Sequence, residues 1–245
     1  MVYYRIKLCP ETDLNVRPEW AYRLYAALLA MGTEQFGDMV HRDCITPISQ
    51  HLERNRDGLV WCVSLFGQQA ADTLGEVLER HNRFYLKKGN IVLAVTDRIR
   101  QPIPDIEQLL QLGEGCSGRH RLDFQTPAAF KTGGRYCCIP NQRLILQNLV
   151  KQWNGCFPEC PIEDEDGEGI DSMAQGLECS GFQLRSQTYY LKGNSIPGFT
   201  GWMTLENRLT GFHRQLADAL LIFSGYTGIG IKTTLGMGGV QHRLL

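Results

Sequence analysis

Apolar and polar residues alternate from Tyr3 to Leu8, a period of two that predicts a half-buried strand. Pro18 suits the first turn of a helix. After it, Trp20, Leu24, Ala27, Leu28 and Met31 recur on one helical face, and Gly32 and Gly37 mark its end. Cys44 to Leu52 and Leu59 to Phe66 predict two more strands, joined by a polar segment that closes on Asp57-Gly58, a hairpin signal. Ala70, Leu74, Val77 and Leu78 give a helical face within 69–84, and Ile91 to Val95 a short strand. The predicted order β-α-β-β-α-β is the ferredoxin-like unit.

The stretch 98–120, with two prolines and three glycines, is read as a connector. Leu122 to Gln125 then predicts a strand, Pro140 to Trp153 a helix, and Phe182 to Leu191 and Gly198 to Leu205 two strands. In Gly211 to Ser224 the residues Phe212, Leu216, Ala219, Leu220 and Phe223 form one apolar stripe, and Met237 to Leu244 closes the pattern as a strand. The fold class predicted is α+β, two ferredoxin-like (RRM-like) β-α-β-β-α-β domains in tandem. Their spans are 1–120 and 121–245, the second carrying a glycine-rich loop at 228–239 and an acidic insertion at 156–171.

Charge enters through that insertion. Over 245 residues the formal net charge is −1, which argues against a nucleic-acid ligand. Seven of the acids lie in 156–171 (Glu159, Glu163, Asp164, Glu165, Asp166, Glu168, Asp171), where no Lys or Arg occurs. The rest of the chain holds 25 basic against 19 acidic side chains, a mildly basic body compatible with phosphate binding. No apolar run reaches the length of a membrane span. The N-terminus reads as a strand, not a secretory signal, so the cytoplasm is the expected location. Nine scattered cysteines do not suggest a disulfide framework. Cys156 and Cys160 could supply two zinc ligands, but no second pair at finger-like spacing follows.

The most specific motif is Gly228-Ile-Gly230-Ile-Lys232-Thr233-Thr234-Leu-Gly236-Met-Gly238-Gly239. A nucleotide P-loop needs glycine directly before lysine, and here Ile231 intervenes. A dinucleotide fingerprint needs a strand before and a helix after, the reverse of this order. A structural turn is the plain alternative. A backbone cradle for RNA phosphates fits better, since glycines permit positive φ and close approach and successive amides can form an anion-binding concavity.

These residues resemble the C-terminal glycine-rich signature of the RAMP superfamily of CRISPR-associated proteins, and within it the repeat-RNA-processing endoribonucleases of the Cas-six family. Three stretches add to the resemblance: Phe124-Gln-Thr-Pro-Ala-Ala-Phe-Lys131-Thr-Gly-Gly-Arg135-Tyr136, Ile196-Pro-Gly-Phe-Thr-Gly201-Trp and Val40-His41-Arg42-Asp-Cys-Ile-Thr-Pro-Ile-Ser49. It implies a stem-loop repeat RNA as ligand and cleavage 3′ of the stem. It also implies attack by the RNA 2′-OH, giving a 2′,3′-cyclic phosphate and a 5′-OH, with no metal and no cofactor. The alternative is a catalytically silent subunit holding the repeat handle. Expected partners are CRISPR repeat RNA and subunits of an effector complex, with the chain a monomer or homodimer and no membrane contact.

That chemistry needs a group that exchanges protons near neutral pH, the ordinary property of histidine. Of the six histidines, His41 stands where the family carries its own; a solvated turn histidine is the plain alternative. His51 is second choice, although it falls in a strand pattern. His81 and His213 read as structural or solvated, and His242 as an RNA contact. His120, between Arg119 and Arg121, suits phosphate contact. Tyr22 and Tyr25 on the first helix, and Lys232 as a charge clamp, complete the catalytic set. For RNA binding the candidates are Gly228, Gly230, Thr233, Thr234, Gly236, Gly238, Lys131, Arg135, Arg119, Arg121 and Arg42.

Overall fold

The computed structural model describes residues 1–12, 15–32, 47–55, 58–87 and 89–245. Strand β1 (Val2–Pro10) buries Val2, Tyr4, Ile6 and Leu8 and turns Tyr3, Arg5 and Lys7 to the other face, as its alternation requires. It pairs antiparallel with both β3 (Gly58–Leu65) and β5 (Ile91–Pro102). With β2 (Ile48–Asn55) and β4 (Arg83–Leu86) the sheet order is β2-β3-β1-β5-β4. Helices α1 (Ala21–Met31) and α2 (Gln68–Arg80) lay Leu24, Leu28, Leu74 and Leu78 on the apolar sheet face, over Trp61 and Phe84. The rings of Trp61 and Phe84 meet edge to face at 5.1 Å.

The second sheet has the order β11-β6-β10-β9, from β6 (Arg119–Ala128), β9 (Leu177–Leu191), β10 (Asn194–Asn207) and β11 (Val240–Leu244). Its first strand lies inside the sheet, and the last pairs beside it. This is the ferredoxin-like arrangement, and the first sheet shares it once the added edge strand β4 is set aside. Two strands, β7 (Phe130–Thr132) and β8 (Arg135–Cys137), form a separate hairpin. Helix α3 is Ile106–Gly115, α4 Gln142–Cys156, α5 Glu168–Gln175 and α6 Gly211–Thr227. Trp153, Phe157 and Phe223 stack into one aromatic group under α4 and α6, with centroids 4.7–5.9 Å apart.

Two expectations are corrected. The connector 98–120 contains the end of β5, all of α3 and the start of β6. Asp105 and Gln108 form a capping box at the start of α3, a signal present in the sequence. Glycines inside a helix disguised it. Gly113 is required by contact, because a Cβ there would stand 2.4 Å from the backbone oxygen of Gln215 on α6. Phe84 closes no helix; it is a fully buried residue of β4. Within the acidic insertion, Asp164 accepts from the amides of Gly169 and Ile170 at the start of α5. One compact unit comprises Met1–Ile103 with Lys232–Met237, the other Pro104–Ile231 with Gly238–Leu245. Residues 104–120 group with the second unit because α3 packs on α6 and β6 starts at Arg119.

Gly113→Ala is expected to force α3 away from α6. The loss of stability should be about 1–3 kcal/mol, as for other overpacked contacts, read as a lower urea midpoint at unchanged slope.

Candidate nucleic-acid interface

In the second unit the glycine-rich loop is held by its own amides. Gly228 N donates to Ser224 O, ending α6, and Ile229 N donates to Gly238 O (both 2.9 Å). Ile231 N reaches Ala129 O and Gly238 N reaches Pro127 O, again at 2.9 Å. Gly239 N donates to the Thr126 hydroxyl at 2.9 Å. The Asn148 side chain on α4 closes the set: its Oδ1 accepts from Gly230 N at 2.7 Å and its Nδ2 donates to Gly230 O at 3.2 Å. Gly230 has φ +101, and a Cβ there would lie 2.4 Å from Ala129 O. Residues 125–129 of one sequence motif and 229–231 with 238–239 of the other are therefore joined by hydrogen bonds.

Residues 232–237 belong to the first unit. Lys232, exposed at φ +58, caps a 3-10 turn over Thr233–Leu235. Thr234 Oγ1 donates to Ile48 O at 3.0 Å. Gln50, 1% exposed, donates through Nε2 to Thr234 O (2.8 Å) and to Ala21 O (3.1 Å), and accepts from Trp61 Nε1 (2.8 Å). One buried amide thus ties the turn to the start of α1 and to the core. Gly236 N donates to Thr233 O, and Met237 N to Lys232 O.

This corrects the idea of a run of free amides. Those of Gly228, Gly230, Gly236 and Gly238 are all spent within the protein, so the glycines shape the loop and do not themselves offer N–H groups. Among the described residues, the Thr233 and Thr234 amides, which open the 3-10 turn, have no acceptor. The Thr234 hydroxyl is committed to Ile48.

The candidate cations do not form one cluster. Arg119 pairs with Glu206 at 3.3 Å. Arg121 pairs with Asp123 at 3.1 Å and lies over the Trp202 ring at 4.2 Å. Both stand on the solvent face of the sheet with much of their charge neutralised. Lys131 and Arg135 sit on the β7–β8 hairpin, exposed, and neither is in an ion pair among the described residues. Gly133 and Gly134, both at positive φ, make its two-residue turn. Lys131 faces Tyr136 and Arg135 faces Thr132 across the hairpin, so the two cations point to opposite sides.

His120 contradicts its expected role in phosphate contact. Strand alternation turns it inward between exposed Arg119 and half-buried Arg121, and it is fully buried. His242 sits against it, Nε2 at 2.9 Å from His120 Nδ1. Burial, then the neighbouring His120, pushes the His242 pKa down to about 3, so it is neutral at physiological pH and a weak phosphate contact. His51 is buried on β2 beside Glu53 and Cys62. Burial by itself lowers its pKa, but Cys62 and Glu53 outweigh that and raise it to about 10. A protonated imidazole cannot act as a base. Burial also lifts the Tyr25 phenol to about 12, and its ring packs against the core. Tyr22 is half-buried and its hydroxyl accepts from Arg23 Nε at 3.4 Å. His41 and Arg42 lie outside the described residues. Asn148 and Gln50 escaped the sequence reading; the available signal was an amide side chain inside an otherwise apolar pattern. Cys156 and Cys160 have no third metal-binding side chain beside them among the described residues.

With the geometry in hand, comparisons identify similar proteins. Residues 122–240 match the family model described as CRISPR-associated endoribonuclease Cas6. That span runs from β6 to β11 and contains every hydrogen bond of the loop within the second unit. A CRISPR-associated endoribonuclease Cas6 of Mycobacterium tuberculosis is 27% identical over 223 residues, covering 89% of this chain and 70% of that protein. One of Streptococcus thermophilus is 22% identical, covering 90% of each. Thermus thermophilus Cas6, solved as a product complex, has the same fold, with TM-score 0.77 and 20% identity over 99% of both chains.

Asn148→Ala should leave both polar groups of Gly230 without partners at a cost of about 1–3 kcal/mol, with faster amide exchange confined first to 229–239. His51 gives a pH signature. Its folded pKa is raised, so its contribution is complete below the unfolded value near 6.5 and is lost as pH rises through about 10. The stability difference between wild type and His51→Gln, from urea melts across that window, should shrink toward the alkaline end.

Proposed function

We propose that the chain is a Cas6-type endoribonuclease that binds the stem-loop of a CRISPR repeat RNA and cuts it 3′ of the stem, a reading supported by the family match over 122–240 and by the Cas6 relatives. The observation that carries this reading is the coupling of the glycine-rich loop to the strand segment 126–129. Both halves of that structure fall within the matched span 122–240. The description of the matched family and of the relatives as endoribonucleases supports RNA as the ligand.

The reaction proposed is attack of the RNA 2′-OH on its neighbouring phosphate, leaving a 2′,3′-cyclic phosphate and a 5′-OH. The nucleophile belongs to the substrate. The protein has to take one proton, return one to the leaving 5′ oxygen and stabilise charge on the phosphoryl oxygens. His41 is the proposed acid–base group, an imidazole being half-charged near neutral pH. Tyr22 orients the phosphate through its hydroxyl. Lys232, an exposed ammonium held at a fixed turn, stabilises the developing charge. Tyr25, with its phenol held protonated, serves α1 packing and at most donates.

Lys131 and Arg135 supply the phosphate-dependent part of the affinity. A cation without a carboxylate partner releases counterions when it meets phosphate. Arg119 and Arg121 must first give up their carboxylates, so they contribute less. Arg121 on Trp202 makes a flat cationic platform able to stack on an unpaired base.

End-labelled repeat RNA incubated with the protein in excess chelator should yield a shortened product ending in a cyclic phosphate. Cleavage only on adding a metal would overturn the mechanism, and tight binding without product would make the chain an RNA-holding subunit. His41→Ala should lower the single-turnover rate by about 10²–10⁴-fold with affinity retained. Lys131→Ala and Arg135→Ala should each reduce the salt dependence of binding by about one unit of slope, and Arg119→Ala by less.

A further inference from the structure

The proposed cleavage leaves unused a buried set of donor groups in the second unit. Cys116 follows α3, His120 lies on β6 and Asp218 on α6. The close approach of α3 and α6 at Gly113 delivers Cys116 to Asp218, and strand alternation turns His120 toward both. One ligand atom from each, thiol sulfur, imidazole nitrogen and carboxylate oxygen, lies within 4.8 Å of the others. His120 and Asp218 are 0% exposed and Cys116 is half-buried.

One carboxylate oxygen of this set has an unmet valence. Asp218 Oδ1 is well supplied, by His120 Nε2 at 2.8 Å and Asn207 Nδ2 at 2.6 Å. Asp218 Oδ2 is buried and has no hydrogen-bond partner. The nearest charge, Arg214 Nε, is 3.7 Å away, within ion-pair range but beyond hydrogen-bond reach. A buried carboxylate oxygen without a donor is uncommon in proteins.

We propose that Cys116, His120 and Asp218 bind a zinc ion through Sγ, Nε2 and Oδ2, with water in the fourth position. A mixed sulfur, nitrogen and oxygen set suits a borderline-soft cation better than calcium or magnesium, which prefer oxygen alone. The charges balance: one thiolate and one carboxylate neutralise the divalent ion, and the imidazole stays neutral. On binding, the Cys116 thiol gives its proton to solvent. The proton of His120 passes from Nε2 to Nδ1 and that of His242 from Nε2 to Nδ1, so His120 Nδ1 now donates to His242 Nε2 and the His120 Nε2 lone pair is free. His242 and Asn207 would then orient the imidazole and the carboxylate as outer-shell partners. The other donor set, His51, Glu53 and Cys62, is a poorer site because the Arg5 guanidinium already occupies the Glu53 carboxylate at 2.8 Å. The ion is structural and takes no part in RNA cleavage, so cutting in chelator bears on the enzymatic proposal alone.

The test uses the full chain. Zinc is measured by mass spectrometry in protein purified without chelator, and cobalt(II) is titrated into the metal-stripped form. Expected are one zinc per chain and a cobalt complex with visible bands of tetrahedral intensity plus a near-ultraviolet thiolate charge-transfer band, all displaced by zinc. Cys116→Ser should abolish the charge-transfer band, Asp218→Asn should weaken zinc binding about tenfold or more, and Cys160→Ser should change neither. If Cys116→Ser does not fold, protection of Cys116 in the wild type from alkylation by added zinc replaces it. No binding at micromolar free metal, a thiolate band that depends on Cys160, or alkylation of Cys116 indifferent to zinc would each overturn the site.

Discussion

The arrangement of the candidate interface rests on where the amides of the glycine-rich loop go. A loop of this composition has high conformational entropy, and order must be imposed from outside it. Ala129, Pro127, Thr126 and Asn148 impose it by accepting the amides one by one. The fit leaves no space for a side chain at Gly230. The glycines are therefore a consequence of tight backbone packing. In the proposed function, ligand contact falls to the exposed Lys232 and the amides that open its turn.

The same reasoning separates the cations. Charge on a surface counts toward phosphate binding only if it is not already spent. Arg119 pairs with Glu206 on the neighbouring strand and Arg121 with Asp123 on its own, whereas Lys131 and Arg135 project from a hairpin with no carboxylate partner among the described residues. The acidic segment follows this logic in reverse. Asp164 caps α5 and Asp171 pairs with Arg143, so part of its charge is consumed in building structure. A net charge near zero conceals both effects.

Much was legible in the chain. The period-two run of β1, the apolar stripe of α6 and the strand–helix order identified the ferredoxin-like units, because burying one face of each element leaves a periodic mark. The two motifs at 124–136 and 228–239 were also visible. Their connection was not, since a hydrogen bond between residues about a hundred positions apart leaves no periodicity. Helix α3 was missed because a glycine demanded by helix contact resembles one demanded by a turn. His120 was misplaced because its arginine neighbours suggested a basic surface, and only alternation within the strand turns it inward.

Local patterning thus determined most of the elements, their order and the identity of the loop, since these depend on residues close in the chain. Tertiary structure decided which of the proposed groups remain free to act. It spent the glycine amides, paired two of the arginines, held Tyr25 and His51 protonated and drew Cys116, His120 and Asp218 together. Each of those outcomes depends on distances and burial set by distant segments, which no local pattern encodes.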